Sequence, residues 1–88
     1  GLVKTLGAEL APKIRVNAIA PTITKTDLAS KLLRNEKVIE NMIERHPLKK
    51  ILMPEEVSKM AKFLISKDAS SISGQIFNLD AGIVSFKL

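Results

Sequence analysis

The side chains best suited to bind a polar ligand lie in one short segment that follows a β-branched stretch. They are Thr22, Thr24 and Thr26. Hydroxyls and free main-chain groups in a loop can hold a polar amide by hydrogen bonds. Asp27 argues against a phosphate at this point, because a carboxylate at a helix start repels an anion. The pattern alone leaves a second interpretation open, in which these threonines only cap and shape a turn.

Catalytic and metal-binding side chains are scarce in the rest of the chain. It contains no cysteine and no tyrosine, and His46 is its single histidine. A lone histidine before a proline, with no second histidine or cysteine nearby, makes a poor metal site. We therefore predict no metal, and we expect His46 to be a solvated or hydrogen-bonded loop residue.

The composition is typical of a globular domain and gives weak support to a nucleic-acid partner. Apolar residues make up 45% and charged residues 26% of the chain, and no apolar run approaches the roughly 18 residues of a membrane span. The net charge is +5, but the lysines are scattered, and without Trp or Tyr a base-stacking platform is poorly supplied. We expect neither nucleic acid nor membrane as a partner. A basic nucleic-acid binder stays as an alternative, and it predicts binding that weakens steeply with salt.

Hydrophobic periodicity predicts an α/β chain. An apolar residue at every fourth position indicates a helix over 2–11, which Pro12 ends. A strand over 14–20 has apolar residues on both faces, which is typical of a parallel sheet covered on both sides. The remaining elements are predicted as helices over 26–33, 35–45 and 54–66 and a strand over 75–80. The order α-β-α-α-α-β favours a right-handed parallel unit.

This parallel unit has two consequences for the threonine loop. Ligands of open α/β sheets bind beyond the carboxyl ends of the strands, so the loop after Pro21 should lie at that edge. The long insertion over 26–46 is expected to cover the site. Two parallel strands alone leave both flanks unpaired, so further strands must come from the rest of the protein or from a partner. We therefore expect a structure that is incomplete on its own.

Several sequence blocks resemble the short-chain dehydrogenase/reductase family, and together they cover nearly all of the chain. That family has a helix that ends AxELAP, a strand IRVNxIxP and a loop usually written PGxIxT. Residues 8–12 align here with the last five positions of the first pattern, and residues 14–21 and 21–26 align with the other two. Later blocks match at His46-Pro47-Leu48, Pro54-Glu55-Glu56-Val57, Phe63-Leu64, Asp68-Ala69-Ser70 and Ser73-Gly74-Gln75. Asp80-Ala81-Gly82 stands where the family usually has DGG. Each block is weak by itself, but their order and spacing together are specific.

The resemblance implies that residues 1–88 are the C-terminal portion of a single Rossmann-like domain with a doubly wound parallel sheet. Members of the family bind NAD or NADP and transfer hydride to or from a carbonyl or alcohol carbon of a small molecule. Their proton chemistry uses a Tyr-x-x-x-Lys pair and a serine, which lie upstream of Gly1 in the family pattern. We therefore assign no catalytic residue to this chain and expect these residues alone to be inactive.

The family pattern can be carried over to the loop after the first strand and to the insertion behind it. The loop residues that align with PGxIxT, whose main chain and final hydroxyl hold the nicotinamide carboxamide in the family, are Pro21, Thr22, Thr24 and Thr26, with Thr24 in place of the usual isoleucine. Thr22 stands where the family has glycine, so a positive φ there would be strained. Within the substrate-covering segment 26–46, the candidate pocket walls are Leu28, Leu32 and Met42.

Assembly, location and an alternative function complete the expectations. In the family, the helix matching 54–66 and the last strand commonly pack against their copies, so we expect a homodimer or homotetramer that covers Ile76, Phe77 and Leu79. We expect a cytoplasmic protein. The ending Phe86-Lys87-Leu88 leaves a peroxisomal location open, because it loosely resembles a Ser-Lys-Leu signal. The alternative function is a non-catalytic α/β oligomerisation module.

Overall fold

The computed structural model describes residues 1–22 and 36–83. In chain order the elements are α1 (Leu2–Leu10), β1 (Ala18–Pro21), α2 (Glu36–Arg45), α3 (Pro54–Leu64), a 3₁₀ turn (Lys67–Ala69) and β2 (Ile76–Leu79). The strands form a parallel two-stranded sheet, in which Ala18 pairs with Ile76 and Pro21 with Leu79. The predicted α/β class and parallel pairing are confirmed. The predicted helix over 26–33 lies outside the described residues.

The helix α3 begins at the predicted residue and ends two residues early. Pro54 occupies its first turn, where a missing N–H costs nothing. At its other end the Ile65 N–H still bonds the Ala61 carbonyl, but the Ser66 N–H bonds the Phe63 carbonyl at 3.0 Å. This tighter i to i−3 bond ends the α-helix at Leu64 instead of the predicted residue 66.

The strand β1 is shorter than the sequence predicted, because the residues before it bond a loop and not a second strand. The Val16 N–H donates to Ser73 Oγ at 3.1 Å, and the Val16 carbonyl accepts the Gly74 N–H at 2.7 Å. The Asn17 side chain donates to the Ile72 carbonyl. The ladder therefore begins at Ala18, and the prediction of a strand from residue 14 was wrong at this end.

Arg15 joins this pre-strand segment to the end of α3. Its guanidinium donates to the Leu64 carbonyl at 2.8 Å and to the Ile72 carbonyl at 3.1 Å. Carbonyls at a helix end lack intrahelical donors, so a cationic donor here is worth more than a neutral one. One side chain thus holds α3 and the loop before β2 against the chain that enters β1.

The buried core of the described residues is small. Its buried side chains are Leu52, Leu64 and Ala69, together with the polar His46 and Asp80. Large apolar side chains remain outside it, including Ile65, which is 82% exposed. The radius of gyration is 15.7 Å, against about 12 Å for a compact domain of this length. These features agree with the expected incompleteness of the sheet.

Candidate functional site

Pro21 and Thr22 lie at the carboxyl edge of the parallel sheet, where the sequence argument put the ligand loop. Pro21 is the last residue of β1 and is in register with Leu79, the last residue of β2. The Thr22 N–H continues the ladder by donating to the Leu79 carbonyl at 3.0 Å. The start of the loop is thus held by the sheet, and Pro21 itself is exposed at this edge.

The threonine that replaces the family's glycine is not strained. Among the described residues, the non-glycine positions with positive φ are Lys49 and Ala81. Thr22 is therefore compatible with its backbone, and the possible strain considered from the sequence does not arise. The position gains a hydroxyl that glycine would lack.

That hydroxyl contacts the buried histidine. Thr22 Oγ1 lies 3.2 Å from His46 Nε2, and His46 Nδ1 lies 2.6 Å from the Met42 carbonyl. A carbonyl can only accept, so Nδ1 carries a proton, and in the neutral ring Nε2 accepts from the hydroxyl. His46 is fully buried, so the expectation of a solvated side chain was wrong. The alternative expectation, a hydrogen-bonded loop residue, is confirmed.

The main chain around His46 forms a tight turn that is attached to the end of β2. The Lys49 N–H donates to the His46 carbonyl at 2.8 Å, and Lys49 has a φ of 53°. The Leu48 N–H donates to the Ala81 carbonyl at 2.9 Å. The end of α2, the turn after it and the carboxyl ends of both strands are therefore connected by hydrogen bonds.

Asp80 shapes the turn that follows β2. Its buried carboxylate accepts the Gly82 N–H at 2.9 Å, and its carbonyl accepts the Ile83 N–H. Ala81 and Gly82 within this turn both have positive φ, at 52° and 89°. A carboxylate that bonds the N–H of the second residue after its own forms an Asx turn, so Asp80 has a structural role here.

The other predicted site residues divide between described and undescribed parts of the chain. Met42 is half-buried on α2, and its carbonyl is the acceptor for His46. The remaining candidates lie outside the described residues: Thr24, Thr26, Leu28 and Leu32. The pairing of Thr22 with His46 was missed by sequence reasoning, because the two residues are 24 positions apart and no local pattern joins them.

A cavity of about 520 Å³ lies apart from this edge, beside the segment that precedes β1. Its lining combines that segment with one side of α3: Lys13, Ile14, Arg15, Asn17, Ile19, Ala61, Leu64 and Ile65. Because β1 begins at Ala18, most of this lining is near the amino end of the strand, away from Thr22. Within residues 1–22 and 36–83, no three His, Cys, Asp or Glu side chains gather as metal ligands, and no helix is long and apolar enough to cross a membrane.

Comparison with known proteins identifies the family. The model of a family described as Enoyl-(Acyl carrier protein) reductase matches residues 1–84. The human mitochondrial "Dehydrogenase/reductase SDR family member 2" is 43% identical over 76 residues, which cover 85% of this chain and 27% of that protein. This chain belongs to the short-chain dehydrogenase/reductase family. The family resemblance read from the sequence blocks is thereby confirmed.

Other short-chain dehydrogenase/reductase relatives are similar in sequence and in structure. The 3-oxoacyl-[acyl-carrier-protein] reductase FabG of Thermotoga maritima is 41% identical over 96% of this chain. Actinorhodin polyketide ketoreductase, solved with NADPH, superposes with a TM-score of 0.84 at 26% identity, covering 98% of this chain and 37% of that one. A C-terminal deletion mutant of Thermoplasma acidophilum aldohexose dehydrogenase gives a TM-score of 0.84 at 30% identity, covering 98% of this chain and 41% of that one.

The matched region is a minor part of each short-chain dehydrogenase/reductase relative. The chain spans 34% of the Thermotoga reductase and 27% of the human protein. The fold match therefore concerns about a third of a Rossmann-type domain.

Proposed function

We propose that this chain is the C-terminal portion of an NAD(P)-dependent oxidoreductase that transfers hydride between a nicotinamide cofactor and a carbonyl or alcohol substrate. The observation that carries the proposal is the position of Pro21 and Thr22 at the carboxyl edge of two parallel strands, in a chain of this family. Ligands of open α/β sheets bind at that edge. The Tyr-x-x-x-Lys pair and the serine of the family lie upstream, so the present residues supply binding and not proton transfer.

The residues at the sheet edge fit the carboxamide group of such a cofactor. Thr22 is held by the β2 main chain, and Pro21 is exposed beside it. In the proposal the nicotinamide carboxamide is held by Pro21, Thr22, Thr24 and Thr26. Main-chain groups and hydroxyls can both donate hydrogen bonds to an amide and accept them from it. Ionised carboxylates could only accept. When bound, the reduced cofactor supplies the hydride, and these loop residues orient its nicotinamide ring.

The substrate-covering role belongs to the segment 26–46 in this proposal. The candidate walls of the substrate pocket are Leu28, Leu32 and Met42. The support from the described residues is that Met42 is half-buried on α2, whose end is attached to the edge where the cofactor loop starts. Apolar walls around a reacting carbonyl would exclude water from the hydride transfer. The substrate in this proposal is a small molecule.

A homodimer or homotetramer is part of the proposal. Phe63 on α3 is 45% exposed and Ile76 on β2 is 56% exposed, and these are the two elements that family members commonly use for assembly. Ile65, directly after α3, is 82% exposed. Apolar side chains of this size favour cover by protein. The missing N-terminal portion and a second subunit are the two proposed sources of that cover. We place the assembled enzyme in the cytoplasm.

The experiment uses the full-length protein in which this chain is the C-terminal third. NADH and NADPH are titrated against it by nicotinamide fluorescence, and turnover is followed by loss of reduced-nicotinamide absorbance with a panel of ketones and aldehydes. Thr26→Val should raise the cofactor dissociation constant about fivefold, the value of one neutral hydrogen bond, while Thr26→Ser should restore most of the affinity. A full-length protein that binds neither cofactor would refute the proposal.

A non-catalytic oligomerisation module is the second candidate, and the exposed apolar side chains of α3 and β2 favour it equally. It predicts a full-length protein that forms a stable oligomer and binds neither NADH nor NADPH. Light scattering and the same cofactor titration separate the two functions, because the enzyme requires cofactor binding and the module does not.

A further inference from the structure

We propose that His46 is a positioning residue that fixes Thr22, and with it the start of the cofactor loop, to the C-terminal end of α2. This inference rests on the proposed function, because it assigns a task to that same site. Two bonds carry it: Thr22 Oγ1 to His46 Nε2 at 3.2 Å, and His46 Nδ1 to the Met42 carbonyl at 2.6 Å. The His46 side chain is buried and both of its ring nitrogens have protein partners, so its effect on a ligand passes through Thr22.

The burial of His46 makes this connection specific. Its side chain has no exposed surface, and both ring nitrogens have a partner. Burying an imidazole is unfavourable unless its polar atoms are satisfied, so the loss of either partner leaves an unsatisfied buried atom. The Met42 carbonyl holds a proton on Nδ1, and Nε2 is directed at one hydroxyl. The ring orientation is therefore determined from both sides.

The two ends of the connection are held by separate main-chain bonds. On one side, the Thr22 N–H is bonded to the Leu79 carbonyl. On the other side, the His46 N–H is bonded to the Ile43 carbonyl, and the Leu48 N–H to the Ala81 carbonyl. With the main chain of Thr22 already fixed by the sheet, the hydroxyl bond also fixes its side chain at the start of the loop. A glycine here, as in most of the family, has no hydroxyl to hold.

The proposed role predicts an effect on the nicotinamide half of the cofactor alone. Thr22 borders the nicotinamide end of the proposed site, and the adenine half of the cofactor binds upstream residues in this family. ADP-ribose contains the adenine half without nicotinamide, and it therefore serves as a matched probe. If the protein prefers NADPH, the probe is ADP-ribose that carries a 2′-phosphate. A general loss of folding would weaken both ligands. A change in loop position would weaken the intact cofactor and leave the truncated ligand unaffected.

Two pairs of variants in the full-length protein test this. Thr22→Val removes the hydroxyl at constant shape, and Thr22→Ser retains it. The Asn side chain of His46→Asn can place a donor near the position of Nδ1 but is too short to contact the Thr22 hydroxyl. The longer side chain of His46→Gln can still contact that hydroxyl.

Thr22→Val and His46→Asn should each raise the dissociation constant for the intact cofactor about fivefold, as for one lost hydrogen bond. The double variant should bind the intact cofactor no more weakly than either single variant, because the same Thr22–His46 contact is lost in all three. Thr22→Ser and His46→Gln should restore most of the affinity.

Three results would overturn the proposal. The first is an intact-cofactor affinity that Thr22→Val leaves within about twofold of the wild type. The second is an equal loss of affinity for intact cofactor and ADP-ribose, which marks a merely structural contact. The third is a wild-type protein that binds neither NADH nor NADPH; this result refutes the proposed function as well, whereas the first two leave that function standing. If the His46 variants do not fold, the difference in cofactor affinity between Thr22→Val and Thr22→Ser tests the proposal by itself.

Discussion

At the scale of single residues, Ala81 has an unfavourable backbone conformation for its type in the turn that follows β2. Its φ of 52° lies in the left-handed region, where a Cβ crowds the neighbouring carbonyl. The family usually has glycine at this position. The Ala81 carbonyl accepts the Leu48 N–H, so the strained residue also holds the turn after α2.

Ala81→Gly should therefore stabilise the intact protein. We expect the free energy of unfolding to rise by about 0.5–1 kcal/mol, because relief of the left-handed strain exceeds the extra chain entropy of glycine. The measurement is urea unfolding followed by circular dichroism. Ala61→Gly within α3 is the matched control and should lower the free energy by about 1 kcal/mol. An equal decrease in the free energy of unfolding for both variants would contradict backbone strain at Ala81.

A second prediction at this scale concerns Arg15. Arg15→Met keeps most of the apolar stem and removes the bonds to the Leu64 and Ile72 carbonyls, so two partly buried acceptors lose their donor. We expect a loss of about 2 kcal/mol in the free energy of unfolding. Lys13→Met changes an exposed cation on the same segment and should cost less than about 0.5 kcal/mol. A similar cost for both would show that charge, and not the two bonds, is responsible.

At the scale of elements, the start of α3 is held by one carboxylate. Glu56 accepts the Met53 N–H at 2.8 Å and also pairs with Lys50, and the Glu56 N–H returns to the Met53 carbonyl. The hydrogen bond from Lys50, with that from Met53, holds the pKa of Glu56 below its ordinary value. A carboxylate with a lowered pKa stabilises the fold above its ordinary pKa. This contribution is lost as the pH falls through the lowered value.

Glu56→Gln should therefore destabilise α3 at neutral pH and have less effect in acid. We expect a cost of about 0.5–1 kcal/mol at pH 7 that shrinks as both proteins are measured at lower pH, because protonated Glu56 has already lost its charge-assisted bonds. The check is urea unfolding of both proteins across this range. Glu55→Gln, an exposed neighbour in the same turn, should cost less. A Glu56→Gln deficit that is independent of pH would refute this account.

At the scale of the whole molecule, the described residues do not complete a sheet of their own. Within the described part of the chain, β1 and β2 pair only with each other, and the buried apolar side chains are few. Two strands with open edges and a small core do not stabilise an independent domain. The exposed apolar residues on α3 and β2 are consistent with surfaces that further protein covers.

The isolated 88-residue chain should therefore associate or remain loosely packed, and it should show no turnover. We expect binding of the dye ANS and a concentration-dependent mass by light scattering, because exposed apolar surface favours association. The intact protein measured in parallel is the control and should bind little dye. A monomeric chain with a cooperative unfolding transition and no dye binding would contradict this prediction.

The features that the sequence predicted correctly depend on short-range patterns. Pro54 and the apolar spacing behind it define α3 because helix periodicity and proline geometry act within a few residues. The β-branched run that ends at Pro21 predicts a strand and, with the helices between, a parallel crossover. Chain order alone then puts Thr22 at the carboxyl edge of that sheet, and the ordered motif blocks identify the family.

Other features were decided only by the tertiary structure, because they join residues that no local pattern relates. The ladder begins at Ala18 because Val16 and Asn17 bond a loop 55–57 positions away. His46 reads as an ordinary loop residue in sequence, and its burial depends on the end of α2 meeting the end of β1. Side-chain partners across such separations depend on the path of the chain, whereas helix and strand preferences depend on each residue and its near neighbours.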